Sequence, residues 1–417
     1  MSRTFDLYDL IVIGAGMAGS AAAEKCATAG WRVAIVDDLP YGGTCALRGC
    51  DPKKILRRGA EIIDAAHLLT GKGIDPAGLA IDWTALSAHM HGFTDPVPAN
   101  METSLGRHGV DTLHGTARFT GPDRLDIDGT NHQFRHALIA TGARPRPLDF
   151  PGADHLIDST GFLYLDALPP RILFVGGGFI SFEFAHIAAR TGTHTVIVDH
   201  GPRPLRGFDP DLVELLVTRS HTIDIDVRRN TEIVAVHRSG DGYHVTLDDH
   251  RRQTTITTDL VVHGAGRQPE LDRLDLDAAD IAHGTHGVHV ASHLQSTTNP
   301  RIYAAGDAAD TPGAPLTPSQ CSKAESPHPT CSKPPPPHPT TAGSRPPCSP
   351  SLNSPESACS RPRPETPAST STSATPTPAA GTPTTASARP PPPPRFSSTA
   401  PLTRSSAPTC SDPSTAS

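Results

Sequence analysis

"YDLIVIGAGMAGSAAAEKCATAGWRVAIVDD" occupies residues 8 to 38. Its apolar run, Leu10 to Ile13, predicts a buried strand. A glycine turn follows, then an alanine-rich helix, then a second strand from Arg32 to Val36 that ends on Asp37 and Asp38. This is a βαβ unit. Gly14, Gly16 and Gly19 fit G-x-G-x-x-G in the one context that gives the pattern physical meaning. The first permits a tight turn, the second lets backbone approach a pyrophosphate, and the third lets helix pack on strand. Free N–H groups and the dipole at the helix N-terminus favour an anion there. Asp37, some twenty residues on, is placed to accept hydrogen bonds from ribose hydroxyls, which points to an unphosphorylated adenosine ribose.

Residues 171 to 200, "RILFVGGGFISFEFAHIAARTGTHTVIVDH", repeat the plan: apolar strand, glycines, amphipathic helix, and a strand closing on Asp199. Gly176 and Gly178 hold the first two glycine positions and Ser181 the third, where serine is still small enough to keep the helix close. Asp199 favours NAD, whereas His200, Arg203 and Arg206 just beyond favour the 2′-phosphate of NADP. Two such units in one chain suggest two nucleotide sites. Between them "HALIATGARPRPLDFPG" runs from a strand into a Gly/Pro/Arg loop and marks a boundary near residue 150. Further on, "TEIVAVHRSGDGYHVTLDD" predicts a hairpin turning at Asp241-Gly242. "DLVVHGAGRQP" and "RIYAAGDAAD" return to the strand-then-glycine pattern.

Residues 41 to 54, "YGGTCALRGCDPKK", set Cys45 and Cys50 with four residues between them. Three readings compete. Zinc needs two further ligands, and no Cys-x-x-Cys or His-x-x-x-His group stands nearby, although the spacing leaves His67, His89 and His91 open. A static bridge across so short a loop stabilises little. A redox pair fits better. "DPKKILRR" predicts a helix start with Pro52 in its first turn, and the helix terminus, Lys53 and Lys54 all favour thiolate. Cys26, within the alanine-rich helix, reads as a buried small apolar residue.

Composition divides the chain. A net charge of -7 argues against a nucleic-acid partner. From Ser319 onward the only large apolar residues are Leu352, Phe396 and Leu402, and 25 of the 44 prolines fall there. Such a segment cannot bury enough surface to offset its conformational entropy, so it is expected to be disordered, with stretches of polyproline II. Five of the eight cysteines lie in it. The three that remain do not make a secreted disulfide framework. No stretch approaches about 20 apolar residues, so no membrane span is expected. A cytoplasmic setting is the default.

The motifs "GAGMAGS", "GGTCALRGCDPKK", "LIATGARPRP", "GGGFISFE", "GAGRQP" and "YAAGDAAD", in that order over residues 9 to 318, resemble the class I pyridine nucleotide-disulfide oxidoreductases. The resemblance implies an α/β fold with two Rossmann-like nucleotide-binding domains. Residues 1–149 and 266–318 would form a discontinuous FAD domain, 150–265 the NAD(P) domain, and 319–417 a disordered tail. It implies FAD on the first glycine fingerprint, with Asp37 at the ribose, Thr44 near the pyrophosphate, Gly115 near the adenine, Asp307 on the ribityl-pyrophosphate stretch and Thr317 near the isoalloxazine. Thr141, Gly142 and Gly266 join the cofactor set through their motifs. NAD(P)H would bind the second unit and pass hydride to the flavin, which reduces a Cys45–Cys50 disulfide. Cys50 would face the flavin, and Cys45 a small disulfide substrate. A lysine, Lys53 or Lys54, would pair with Glu183 beside the flavin. Phe179 stands where many members have a gating tyrosine, and keeps the flat ring without the hydroxyl.

Family members are homodimers that continue after "GAPLTP" into a dimerisation domain carrying a His-Pro-Thr segment followed by glutamate. Here "HPT" occurs at His328 and His338, in coreless sequence without that glutamate, so the dimerisation domain and its acid-base histidine are expected to be missing. The change at residue 319 resembles an out-of-frame continuation of a GC-rich gene, with a genuine proline-rich extension as the other reading. Disulfide turnover is then expected to be weak, because general acid-base help is worth about 10²–10⁴-fold. Two other readings remain: a non-catalytic truncated fold, and an interaction protein whose proline-rich tail binds SH3-like or WW-like partners.

Overall fold

The computed structural model describes residues 7–312. Thr317, His328, His338 and the proline-rich segment lie outside the described residues.

The first sheet begins with β1 (Leu7–Ile13), crosses through helix α1 (Met17–Thr28), and returns in β2 (Val33–Asp37), parallel to β1 with Ile13 opposite Val36. The chain then passes through a π-helical turn, Thr44–Arg48, and three helices, α2 (Cys50–Leu68), α3 (Trp83–Thr94) and α4 (Val97–Arg107). It re-enters the sheet as β3 (Val110–His114), followed by β4 (Ala117–Gly121), β5 (Arg124–Ile127) and β6 (Thr130–Ile139). The order is β3-β2-β1-β6-β5-β4, and the strand Ile302–Ala304 adds to β6. β6 serves three partners: it pairs parallel with β1, its first four residues pair antiparallel with β5, and its last three residues pair parallel with Ile302–Ala304.

A second sheet contains the strands Ile225–Arg228, His194–Val198, Arg171–Val175 and Leu260–His263 in that spatial order, all parallel. Helices α5 (Ser159–Leu163), α6 (Phe179–Ala189) and α7 (Pro210–His221) belong to this unit. The hairpin is present, but it turns at Gly240-Asp241, one residue before the expected Asp241-Gly242, because Ser239 pairs with Gly242 to join Glu232–Ser239 antiparallel to Gly242–Asp248.

Both sheets are covered on two faces, which is why their strands read as continuous apolar runs instead of alternating ones. In β1, Ile11 and Ile13 join one core cluster, and Leu10 and Val12 the other. In the second sheet Ile172 and Phe174 face one cluster, and Leu173 and Val175 the other. Leu56 and Ala60 of α2 pack in the same cluster as Phe174, Phe182 and Phe184, so the helix after the cysteines is anchored against the second unit.

Polar contacts reinforce that anchor. Asp64 Oδ1 of α2 accepts from Arg190 (2.9 Å), just beyond α6, and from Arg219 (2.6 Å) of α7. Arg190 also approaches His186 Nδ1 at 2.9 Å, and His186 Nε2 lies 3.0 Å from Ser220 Oγ. Nδ1 therefore accepts and Nε2 carries the proton. Burial, and then the Arg190 charge, push the imidazole down to about 4. The unfolded chain takes up a proton near pH 6.5, whereas the folded one resists until about 4, so stability from this group is complete above 6.5 and is lost as pH falls through that window. Between pH 7 and 5 urea unfolding should show an acid-side loss of roughly 2 kcal/mol that His186→Gln removes.

Candidate active site

Parallel α/β sheets bind ligands at the carboxyl ends of their strands, and the sequence-predicted residues converge there. Gly14 follows β1, Asp37 ends β2, Gly115 follows β3, Thr141 and Gly142 follow β6, and Asp307 follows Ile302–Ala304. The register aligns them: Ile13 is opposite Ile139 and Val36, Asp37 is opposite His114, and Ala304 is opposite Ile139.

Several observations fit a bound dinucleotide at this edge. Helix α1 begins at Gly16 without a side-chain cap or an acid in its first turn, so its first N–H groups are available to an anion. The loop carrying Thr44 packs on the glycine turn, and a Cβ on Gly43 would lie 2.5 Å from Gly16 Cα. Thr141 Oγ1 is buried with no hydrogen-bond partner among the described residues. Asp37 accepts from Ala15 N–H (2.7 Å) and Leu39 N–H (2.9 Å), which leaves lone pairs on both oxygens for hydroxyl donors. Burial raises the Asp37 carboxyl above its ordinary range despite these bonds and the nearby charge of Arg48. The N–H of Gly115 donates to Asp37 O at 3.1 Å, which places Gly115 beside Asp37.

The second sheet repeats this edge with Gly176 after Arg171–Val175, Asp199 after His194–Val198 and Gly266 after Leu260–His263. Helix α6 starts at Gly178, also uncapped, with Phe179 as its first residue, 48 % exposed. The small-residue contact has moved to the opposite partner here. Ser181 is fully buried, and the missing Cβ is that of Gly264, which would lie 2.1 Å from Ser181 Oγ. Asp199 is only 5 % exposed; one oxygen accepts Gly177 N–H at 3.2 Å and the other is buried. Arg206 reaches back over Gly201 to His200 Nε2 at 2.9 Å, and Arg203 donates to Arg206 O at 3.2 Å. Gly142 and Gly266 lead into two short strands, Ala143–Pro145 and Arg267–Pro269, that pair antiparallel.

Cys45 lies in the π-helical turn and Cys50 is the first residue of α2; both are partly buried. In α geometry residues five apart are rotated by roughly 140° and face different sides. The wider i→i+5 turn brings such positions back toward one side, a distortion often found at functional sites. Pro52 sits buried in the first turn of α2. Lys53 Nζ pairs with Glu183 Oε2 of α6 at 2.5 Å, while Lys54 is 66 % exposed and approaches Asp51 at 3.9 Å. The lysine that sequence left undecided is therefore Lys53. The histidines left open for zinc are engaged elsewhere: His67 Nδ1 contacts Ile63 O, His89 meets Phe93 edge to face, and His91 faces Asp95. Among the described residues no group of three or more His, Cys, Asp or Glu is gathered as metal ligands, and no helix is long and apolar enough to cross a membrane.

Two arginines escaped the sequence reading. Arg48 lies between the cysteines and its charge acts on Asp37. Burial lowers the Arg267 guanidinium, and Asp307 and Asp158 oppose that effect. Arg267 adjoins Gly266 in a motif already singled out, which was the available signal.

Two dinucleotide-type sheets, with a cysteine pair at the start of a helix anchored on the second, are the arrangement of a two-nucleotide redox protein. Residues 8–326 match the pyridine nucleotide-disulphide oxidoreductase family, and the chain belongs to it. It is 34% identical over 300 residues to a glutathione reductase of Burkholderia cepacia, covering 72% of this chain and 66% of the relative. It is 32% identical over 313 residues to a dihydrolipoyl dehydrogenase of Thermus scotoductus, covering 73% and 67%. To a mercuric reductase of Staphylococcus aureus it is 28% identical over 303 residues, covering 72% and 55%. The chain thus spans about two thirds or less of these relatives.

Proposed function

We propose that the chain is an FAD-dependent NAD(P)H:disulfide oxidoreductase. Residues 1–149 and 266–318 would hold the flavin and 150–265 the nicotinamide coenzyme. The observation that carries this reading is Cys50 at the start of α2, one turn before a lysine that bridges to the coenzyme helix through Glu183. Gly14, Gly16 and Asp37 at the first glycine edge would hold FAD, whose chemistry is to relay an electron pair from the nicotinamide to a Cys45–Cys50 disulfide. Lys53 and Glu183 would hold fixed charge at that junction. Cys45 thiolate would then attack a small disulfide, forming a mixed disulfide and expelling one thiolate. Attack of Cys50 on Cys45 sulfur would release the second thiolate and restore the cysteine pair, and two protons complete the products.

The arrangement beyond Asp199 supports NADPH as the donor. The Asp199 carboxylate is buried against Gly177, whereas the accessible groups at that strand end are His200, Arg203 and Arg206. A hydrogen bond to a charged phosphate contributes about 1.5–3 kcal/mol, so Arg206→Ala should raise KM for NADPH roughly ten- to a hundred-fold and leave NADH nearly unaffected. Equal effects on the two coenzymes would remove the argument.

The overall test is flavin content followed by anaerobic NADPH. Bleaching of a yellow protein, with thiols appearing at Cys45 and Cys50 by alkylation mass mapping, supports the reading. Colourless protein that elutes as an aggregate supports the non-catalytic fold instead. Glutathione and lipoamide are the disulfides to compare first.

A further inference from the structure

We propose that Asp64, Arg190 and Arg219 form a registration clamp that holds Lys53 against Glu183, which makes Asp64 and Arg190 positioning residues for the redox centre. Lys53 and Asp64 are eleven residues apart on α2, about three full turns, so they lie on one face of that helix. Glu183 and Arg190 are seven apart, about two turns, and lie on one face of α6 and its C-terminal cap. The two helices therefore meet at two ionic levels, Lys53–Glu183 and Asp64–Arg190. The first interval spans about 16 Å and the second about 10 Å, a difference that the long arginine side chain covers.

Between the levels the contact is apolar, with Leu56 and Ala60 packed in the cluster of Phe182 and Phe184. Apolar packing is non-directional, so a small side chain such as Ala60 does little to resist sliding. A carboxylate gripped by two guanidinium groups from two elements resists it. Asp64 Oδ1 takes Arg190 and Arg219 together, and Arg190 is itself pinned by His186 Nδ1 (2.9 Å) and His186 O (3.1 Å), with its side chain only 10% exposed. The carboxyl is partly buried, which works against its charge, but the two arginines outweigh this and keep it below the usual carboxylate range. Sliding α2 by one residue, about 1.5 Å, would lengthen the short Lys53–Glu183 contact at the other end.

The functional consequence rests on the reading that Lys53–Glu183 belongs to the redox centre; the clamp itself is tested without coenzyme or turnover. Purified full-length chain is treated briefly with an amine-acylating reagent, and modification of Lys53 relative to Lys54 is read by mass spectrometry. Lys54, 66% exposed on the same helix, is the internal reference, and Glu183→Gln sets the value for a released Lys53. Asp64→Asn should raise the Lys53:Lys54 ratio at least about three-fold toward that value, with Asp64→Glu returning most of the protection. If Asp64→Asn does not fold, Arg219→Gln, at a partly exposed site, should give an intermediate rise. An unchanged ratio in folded variants overturns the clamp. In flavin-loaded protein, Asp64→Asn should slow NADPH-driven flavin reduction in the wild-type background and add nothing in Glu183→Gln, because both remove the same contact. Additive losses, or none, overturn the positioning role even where the ratio moves.

Discussion

Replacing Cys45 or Cys50 with serine should halve the reducing equivalents the flavin-loaded chain takes up. A dithionite titration of the wild type is expected to consume about four electrons at this centre, two for the flavin and two for the cysteine pair. Either serine variant should consume about two. Cys26 is buried, and the five cysteines of the proline-rich segment are common to all the proteins compared, so the difference between titrations isolates Cys45 and Cys50. The same variants should lose catalysed disulfide reduction by roughly 10³-fold or more, because neither cysteine can complete the exchange alone. Reduction of ferricyanide by NADPH should persist, since that path does not need the sulfurs. The electron count is informative even where turnover is slow. A wild type that accepts only two electrons would mean that the cysteines do not exchange electrons with the flavin.

What sequence could and could not convey follows from the range over which each feature acts. The glycine turns, Asp37 and the cysteine pair are local: the physical constraint and the residues that meet it lie within a few positions of one another, or one βαβ unit apart. Lys53 and Lys54 differ only in helical phase. Which one meets Glu183 depends on how α2 lies against a helix about 130 residues later, and no local pattern encodes that. The Asp64–Arg190–Arg219 contact is invisible for the same reason, since each residue alone reads as a solvated helix charge. Asp199 is legible only in part. Its place at a strand end is a local feature, whereas the burial of its carboxylate against the N–H of Gly177 is set by packing that residue type does not convey.

The glycines of the first fingerprint separate in a way that sequence pattern cannot, and this gives the second large effect. Gly14 has φ +105°, and a Cβ there would lie 2.3 Å from the carbonyl oxygen of Ala140 and 2.7 Å from its carbon, both backbone atoms of the adjoining strand end. Neither the strained dihedral nor the clash can relax without moving β6 away from β1. Gly14→Ala should therefore destabilise the fold itself by about 3 kcal/mol or more, flavin present or absent. Gly16 is different. Its φ of −80° is open to any residue, and a Cβ would meet nothing nearer than Gly43 Cα at 3.9 Å. Gly16→Ala should leave the unfolding midpoint of the flavin-free protein within about 0.5 kcal/mol of wild type. If the missing Cβ at residue 16 exists to admit a pyrophosphate, flavin content should nonetheless fall to below roughly a tenth of the wild-type ratio, a cost of about 1.4 kcal/mol or more in binding. A Gly16→Ala protein that keeps its full flavin would mean that no phosphate approaches this turn, and the assignment of the first sheet edge to FAD would fail with it.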